Sequence, residues 1–98
     1  MKGRKPTAAE QRHMTSVADL GCVVCRRELG VYSQAAIHHT AGKTKPGAHM
    51  IVLPLCGAHH QTGGYGVALH AGKAEWERLH GTQGELLAWV AERVRPAQ

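Results

Sequence analysis

Two closely spaced pairs of potential metal ligands constrain this chain more than any other feature of its sequence. One pair consists of two cysteines, and the other of a cysteine and a histidine. Two residues separate Cys22 from Cys25, and Cys56 and His59 repeat that spacing further along the chain. Structural zinc sites draw four thiolate or imidazole ligands from two such pairs on separate turns. We therefore predict a Cys₃His zinc site, against the alternative of ordinary buried thiols. The neighbouring His60 leaves open which histidine is the fourth ligand.

A structural metal would compensate for a thin hydrophobic core. The 98 residues are enough for one domain, and a domain of this size buries about 65% of the surface that its unfolded chain exposes. The sequence has no Phe, and aromatic residues make up only 4% of it. Because apolar burial is limited, zinc binding is expected to supply much of the folding free energy.

The composition excludes several classes of protein. Three cysteines are an odd number, and no apolar stretch of signal-peptide character follows the first residues, which is unlike a secreted disulfide framework. We therefore expect a cytoplasmic location. The longest apolar run, residues 50–56, is too short to span a membrane. A net charge of +5 favours a polyanionic partner such as nucleic acid.

Capping signals and apolar periodicity predict a small α+β domain over residues 7–98, preceded by a flexible basic tail over residues 1–6. Thr7 and Glu10 form a capping-box pattern for a helix that runs to Leu20. The other predicted elements are strands over residues 34–39 and 49–55 joined by a turn-rich basic loop, a short helix from residue 57, and helices over residues 73–80 and 82–95.

Eight histidines are the second unusual feature of the sequence. We interpret His13 and His80 as surface residues or as core residues with satisfied hydrogen bonds. His38 and His39 are adjacent on a predicted strand, so their side chains point to opposite faces. One of them can bind a metal while the other faces a substrate, and only their neighbours decide which.

The order of these residues resembles that of an HNH, or His-Me finger, nuclease. The matching run is Ile37-His38-His39, a basic loop, His49, then Pro54-Leu55-Cys56-x-x-His59-His60. The longer pattern IHHTAGKTKPGAH followed by LPLCGAHHQTGGYGV is similar to the phage recombination-enhancement (Ref) nucleases and related small phage HNH proteins. This resemblance covers roughly residues 20–81. It implies a small zinc-stapled ββα-metal (His-Me finger) domain with flanking helices, in which a hairpin and a helix clasp one divalent ion.

The resemblance implies a role for each central histidine. His39 would be the general base, oriented by His49, which replaces the middle Asn of the HNH motif. His38 and His60 would bind the catalytic ion. Many HNH motifs have a further histidine four residues after the first helix ligand, where this chain has a glycine. His70, beyond a Gly-rich bend, is the candidate replacement.

The chemistry of such a site is consistent with phosphodiester hydrolysis, which needs a base that titrates near neutral pH and a cation beside the phosphate. Imidazole ligands suit Zn²⁺, Ni²⁺, Co²⁺ or Mn²⁺, whereas HNH enzymes often use Mg²⁺. The identity of the catalytic ion therefore stays open. The resemblance implies a phage or prophage DNA endonuclease of low sequence specificity that leaves 5′-phosphate and 3′-hydroxyl ends. The alternative is a non-catalytic zinc-binding DNA-binding or adaptor domain.

Four basic residues are candidates for contacts with the DNA backbone, and a solvated charged face is the alternative: Arg26, Arg27, Lys43 and Lys45. Ref nucleases act on single-stranded DNA coated by the RecA recombinase and have a longer basic N-terminal region. Dependence on that filament and the strandedness of the substrate therefore stay open. We expect a monomer or weak dimer in the cytoplasm of a bacterial host cell, without a membrane partner.

Overall fold

Two antiparallel strands and three helices make up the regular structure of the computed structural model, which describes residues 5–40, 42 and 47–94. Strand β1 pairs with strand β2, and short helical turns connect the longer elements. The domain is therefore of the α+β class. The elements are α1 Ala8–Asp19, β1 Ala36–His39, β2 Val52–Leu55, α2 Lys73–His80 and α3 Gln83–Arg93.

The predicted hairpin is confirmed, but its second strand begins later than expected. His38 pairs with Leu53, and His39 pairs with Val52. The prediction of a strand from His49 onward is wrong, because that residue lies in the 3₁₀ turn Ala48–Met50. Gly47 precedes this turn with a φ of 79°, a left-handed conformation that glycine adopts without strain and that redirects the chain.

The helix boundaries follow the capping signals in the sequence. The Thr7 hydroxyl accepts a hydrogen bond from the Glu10 amide, and the Glu10 carboxylate accepts one from the Thr7 amide, which confirms the predicted capping box of α1. Thr82 and Glu85 form the same arrangement at the start of α3. None of the helices in the described ranges is long and apolar enough to cross a membrane.

The hydrophobic core contains one fully buried aromatic ring. Trp76 of α2 is completely enclosed, and its indole N–H donates to the Val67 carbonyl at 3.0 Å. The first cysteine pair lies in the same core, so the predicted metal ligands are part of the packing and not an appendage to it. The other fully buried large side chains include Val17, Val23, Val24, Val52, Leu53, Leu55 and Leu86.

Two predicted segments differ from the structure. The helix expected from residue 57 is a single π-helical turn, Ala58–Thr62, which ends at Gly63. A side chain at Gly63 would come within 2.5 Å of the Ala58 carbonyl oxygen, so the chain can turn away closely there only because the residue is glycine. The last helix ends at Arg93, two residues before the predicted end. Residues 1–4 of the predicted basic tail, and Lys43 and Lys45, lie outside the described residues.

Candidate metal centres

Three thiols and one imidazole meet where the first helical turn after α1 packs against the end of β2. This group, the cysteine cluster, comprises Cys22, Cys25, Cys56 and His59. The His59 Nδ1 atom lies 3.6 Å from the Sγ atoms of both Cys22 and Cys25 and 3.2 Å from that of Cys56. The Sγ atoms of Cys25 and Cys56 are 3.9 Å apart. The structure thus places His59, and not His60, beside the three thiols.

The spacing of these donor atoms fits a tetrahedral zinc site. With Zn–S bonds of about 2.3 Å and Zn–N bonds of about 2.0 Å, tetrahedral ligand atoms lie about 3.5–3.8 Å from one another. The four distances in the cysteine cluster fall at or close to that range. The cluster could therefore bind a metal ion such as zinc, and the thiolate-rich donor set suits that ion.

The protonation of the thiols depends on their burial. Burial raises the pKa of the Cys22 thiol to about 11. Burial also raises the pKa of Cys56, but hydrogen bonds from the His59 backbone and from the other two thiols outweigh it and lower that pKa below its ordinary value. A metal ion bound here would displace a proton from Cys22, which couples metal affinity to pH.

His80 contacts the cysteine cluster through the ring of His59. Its ring lies edge-on to that of His59, with the centroids 5.5 Å apart. The Nδ1 atom of His80 is 2.6 Å from a carboxylate oxygen of Glu28, and its Nε2 atom is 2.9 Å from the Gly66 carbonyl oxygen. The interpretation of His80 as a satisfied histidine is confirmed, since both ring nitrogens have partners. It joins three segments that the sequence keeps far apart.

A second group of imidazoles combines one residue of β1 with two from the helical turns that follow β2. This group, the histidine cluster, consists of His38 from β1, His60 from the π-helical turn and His70 from a 3₁₀ turn over Leu69–Ala71. One ring nitrogen of each lies within 4.8 Å of those of the other two. The Nε2 atoms of His60 and His70 are 2.9 Å apart. These three side chains could hold a metal ion.

The electrostatics of the histidine cluster favour the neutral form of His38 and His60. Burial lowers the pKa of His38 below its ordinary 6.5. The hydrogen bond with Gln83 opposes this shift, and the nearby His70 and Lys73 add smaller lowering effects. Burial and the two neighbouring histidines also lower the pKa of His60. Only a neutral imidazole has a lone pair for a metal. The lowered pKa values therefore keep His38 and His60 able to bind a metal at a lower pH than an ordinary histidine.

An open cavity of about 350 Å³ adjoins the histidine cluster. Its lining includes His38, His70, Lys73 and Gln83. Sequence reasoning missed the last two residues as members of a site. The charge of Lys73 was visible, but no spacing connected it to the histidines, and Gln83 followed a capping signal without any feature typical of a ligand.

The remaining two central histidines pair with each other. The Nε2 atom of His39 lies 2.9 Å from Nδ1 of His49, and the two rings are nearly perpendicular. His49 is buried, with 4% of its surface exposed. The two adjacent histidines of β1 therefore join different groups: His38 belongs to the histidine cluster, and His39 pairs with the buried His49.

Comparison with known protein families identifies the family of the chain. A family model described as "recombination enhancement, RecA-dependent nuclease" matches residues 6–95. The chain belongs to this family. The match confirms the resemblance to the Ref nucleases and gives the chain a nuclease role. It spans every member of the cysteine cluster and of the histidine cluster.

Two of the four predicted DNA contacts lie at the surface of this member of the RecA-dependent nuclease family. Arg26 donates to the Leu20 carbonyl at 2.8 Å, and Arg27 donates to the His80 carbonyl at 3.3 Å. Both arginines are exposed and follow Cys25 directly. Each thus has a structural hydrogen bond while its guanidinium stays accessible to a polyanion.

Proposed function

We propose that the chain is a metal-dependent HNH endonuclease with a ββα-metal core that hydrolyses DNA phosphodiester bonds. The observation that supports this proposal is the division of the central histidines. Three imidazoles that could hold an ion lie beside a cavity, and a separate hydrogen-bonded pair contains the predicted base. Membership of a nuclease family agrees with this division of roles.

The two clusters have different functions in this proposal. Zinc in the cysteine cluster stabilises the fold, because its ligands come from the core and from both sides of the hairpin. The histidine cluster holds a catalytic divalent ion, with Mg²⁺, Mn²⁺, Ni²⁺, Co²⁺ and Zn²⁺ as candidates. When bound, this ion supplies positive charge that stabilises the phosphate and the leaving oxygen in the transition state.

His39 acts as the general base in the proposed reaction. It accepts a proton from the water that attacks the phosphorus atom, for which an imidazole has a suitable pKa range. His49 orients it through the hydrogen bond between their ring nitrogens. Attack by water and departure of the 3′ oxygen leave a 5′-phosphate and a 3′-hydroxyl end.

The charge of the cavity lining favours a backbone phosphate of DNA as the group that enters the site. Lys73 lies on the wall of the cavity beside His38 and His70, where a phosphate would approach the histidine cluster. Arg26 and Arg27, together with Lys43 and Lys45, are proposed to contact backbone phosphates without reading bases. A RecA filament on single-stranded DNA is the proposed partner, because the family description names RecA dependence.

A nicking assay tests the proposal. The purified chain is incubated with supercoiled plasmid, and with single-stranded DNA with and without RecA, in Mg²⁺ or Mn²⁺. We expect cleavage by the wild type and a loss of about 10²–10⁴-fold in His39→Ala, the usual contribution of a general base. His13→Ala, on α1 and a member of neither cluster, is the matched control and should cleave normally.

Two results would contradict the nuclease proposal. The first is DNA binding without cleavage under every condition, which would support a non-catalytic zinc-binding adaptor. The second is a His39→Ala variant that cleaves at the wild-type rate, which would remove this histidine from the reaction.

A further inference from the structure

Gln83 is a buried polar side chain that contacts the histidine cluster. Only 8% of its surface is exposed, although it is the first residue of α3. Its Oε1 atom lies 2.8 Å from Nε2 of His38, which is 45 positions away in the sequence. A buried amide requires a hydrogen-bond partner, and this one has a metal-ligand candidate as its partner.

The position of Gln83 is held by a hydrogen bond to α2 and by the capping box at the start of α3. Its own amide N–H donates to the carboxylate of Glu77, near the end of α2, at 2.8 Å. The preceding Thr82 is the N-cap of α3 and is tied to Glu85 by the capping box. The glutamine side chain therefore extends toward β1 from a backbone that is hydrogen-bonded on both sides.

The hydrogen bond constrains the tautomer of His38. An amide oxygen only accepts, so the ring must carry its proton on Nε2 to form this bond. A neutral imidazole protonated at Nε2 has its lone pair on Nδ1. Because one nitrogen cannot both donate to Gln83 and bind a cation, Nδ1 becomes the available ligand atom.

We propose that Gln83 is a positioning residue for the ion of the histidine cluster: it holds His38 with the proton on Nε2 and thereby selects Nδ1 as the metal ligand. This inference rests on the proposed function, which places an ion at the histidine cluster. A metal-ligating histidine typically donates its second ring N–H to an acceptor that fixes its orientation.

The packing of the rings agrees with this role. The His38 ring lies edge-on to His60 and to His70, with centroids 5.2 and 5.4 Å away. Gln83 contacts the same ring through Nε2 and lines the adjoining cavity. His38 is thus restrained by α3 as well as by its own strand.

Nuclear magnetic resonance of the histidine nitrogens tests the tautomer. The ¹⁵N-labelled protein is first loaded with one equivalent of Zn²⁺ and then titrated with Cd²⁺ as the probe. We expect His38 to be protonated at Nε2 before Cd²⁺ is added and to show coupling between ¹¹³Cd and Nδ1 afterwards. Coupling to Nε2 instead would overturn the proposal.

Substitutions of Gln83 test its contribution to affinity. Gln83→Leu removes the acceptor at similar size and should weaken binding of the second metal equivalent by about 10–100-fold, the usual effect of losing such a partner. Gln83→Glu keeps an acceptor at the same place and should restore binding. Gln11→Leu, an identical change at an exposed position of α1, is the control. Calorimetry with Zn²⁺ as the first equivalent and Co²⁺ as the second gives the affinities.

The outcomes separate this inference from the proposed function. Unchanged Co²⁺ affinity in Gln83→Leu would overturn the role of Gln83 while leaving an ion site in place. A wild type that binds no second equivalent would overturn both the ion site and the role of Gln83. If the Gln83 effects appear but no DNA is cleaved, the positioning role stands and the nuclease assignment fails.

Discussion

Adjacent side chains at positions 59 and 60 join different clusters. His59 points its Nδ1 atom at the three thiols, and His60 points its Nε2 atom at His70. Both lie on one π-helical turn, where successive side chains point in different directions. A single turn can therefore supply a ligand to a structural site and another to a candidate catalytic site.

Loss of one thiol should abolish folding. Cys22 is fully buried in the core and lies 3.6 Å from His59 Nδ1, so Cys22→Ser would leave the proposed zinc site without a strong ligand inside the packed interior. Because binding energy at structural zinc sites, about 10–16 kcal/mol, is folding energy, we expect an unfolded or aggregated variant. Circular dichroism measures the folding of the variant, and metal analysis measures its zinc content. A folded, zinc-free Cys22→Ser protein would contradict the prediction.

The pairing of His39 and His49 predicts a graded effect of substitution. His49→Ala removes the partner of His39 Nε2 without removing the proposed base, so cleavage should fall by about 10²-fold, as for a misplaced catalytic group. His49→Asn, which introduces a side-chain amide that can still form a hydrogen bond with His39, should recover part of the rate. Single-turnover cleavage rates test both, and a larger loss in His49→Asn than in His49→Ala would contradict the orienting role.

At the scale of elements, local capping signals were reliable and strand limits were not. Helix α2 has the predicted limits, Lys73–His80, and both capping boxes form. The second strand begins three residues later than predicted, since Gly47 and the 3₁₀ turn reverse the chain direction first. Capping depends on four neighbouring residues, whereas the start of a strand depends on a partner elsewhere.

The capping box of α3 makes stability depend on pH. Hydrogen bonds from the Thr82 backbone and side chain lower the pKa of the Glu85 carboxyl below its ordinary 4.5. A carboxyl with a lower pKa in the folded state stabilises the fold above its unfolded pKa, and this stabilisation is lost as the pH falls through its folded pKa. Glu85→Gln should therefore show a smaller loss of stability on acidification below pH 4.5 than the wild type.

Thermal unfolding at a series of pH values measures this dependence. Glu92→Gln, a change at an exposed glutamate outside the capping box, is the control and should keep the wild-type slope. Parallel curves for Glu85→Gln and the wild type would contradict a role of the cap in the pH dependence.

At the scale of the whole molecule, positive charge should govern the affinity for DNA. The net charge is +5, and the proposed contacts read phosphates only. Binding should weaken steeply with salt, and removing one phosphate contact should reduce the logarithmic salt slope by about 1. Arg27→Ala should show that reduction, whereas Arg12→Ala on the exposed face of α1 should not.

Fluorescence anisotropy with labelled single-stranded DNA between low and physiological salt tests this prediction, in a His39→Ala background that prevents cleavage. An Arg27→Ala slope equal to that of the unsubstituted background would place this arginine away from the DNA. A loss of affinity that depends on base sequence would contradict binding through phosphates alone.

Local features of the sequence were sufficient to predict the cysteine pair, the cysteine-histidine pair, the capping boxes and the α+β class. Each depends on residues within a few positions of one another, where backbone geometry sets which side chains meet. The division of His59 from His60, and the contact of Gln83 and Lys73 with the site, were decided only by the tertiary structure. Gln83 reaches His38 because α2 and α3 pack beside the hairpin, and packing between residues 45 positions apart leaves no periodic signal in the sequence.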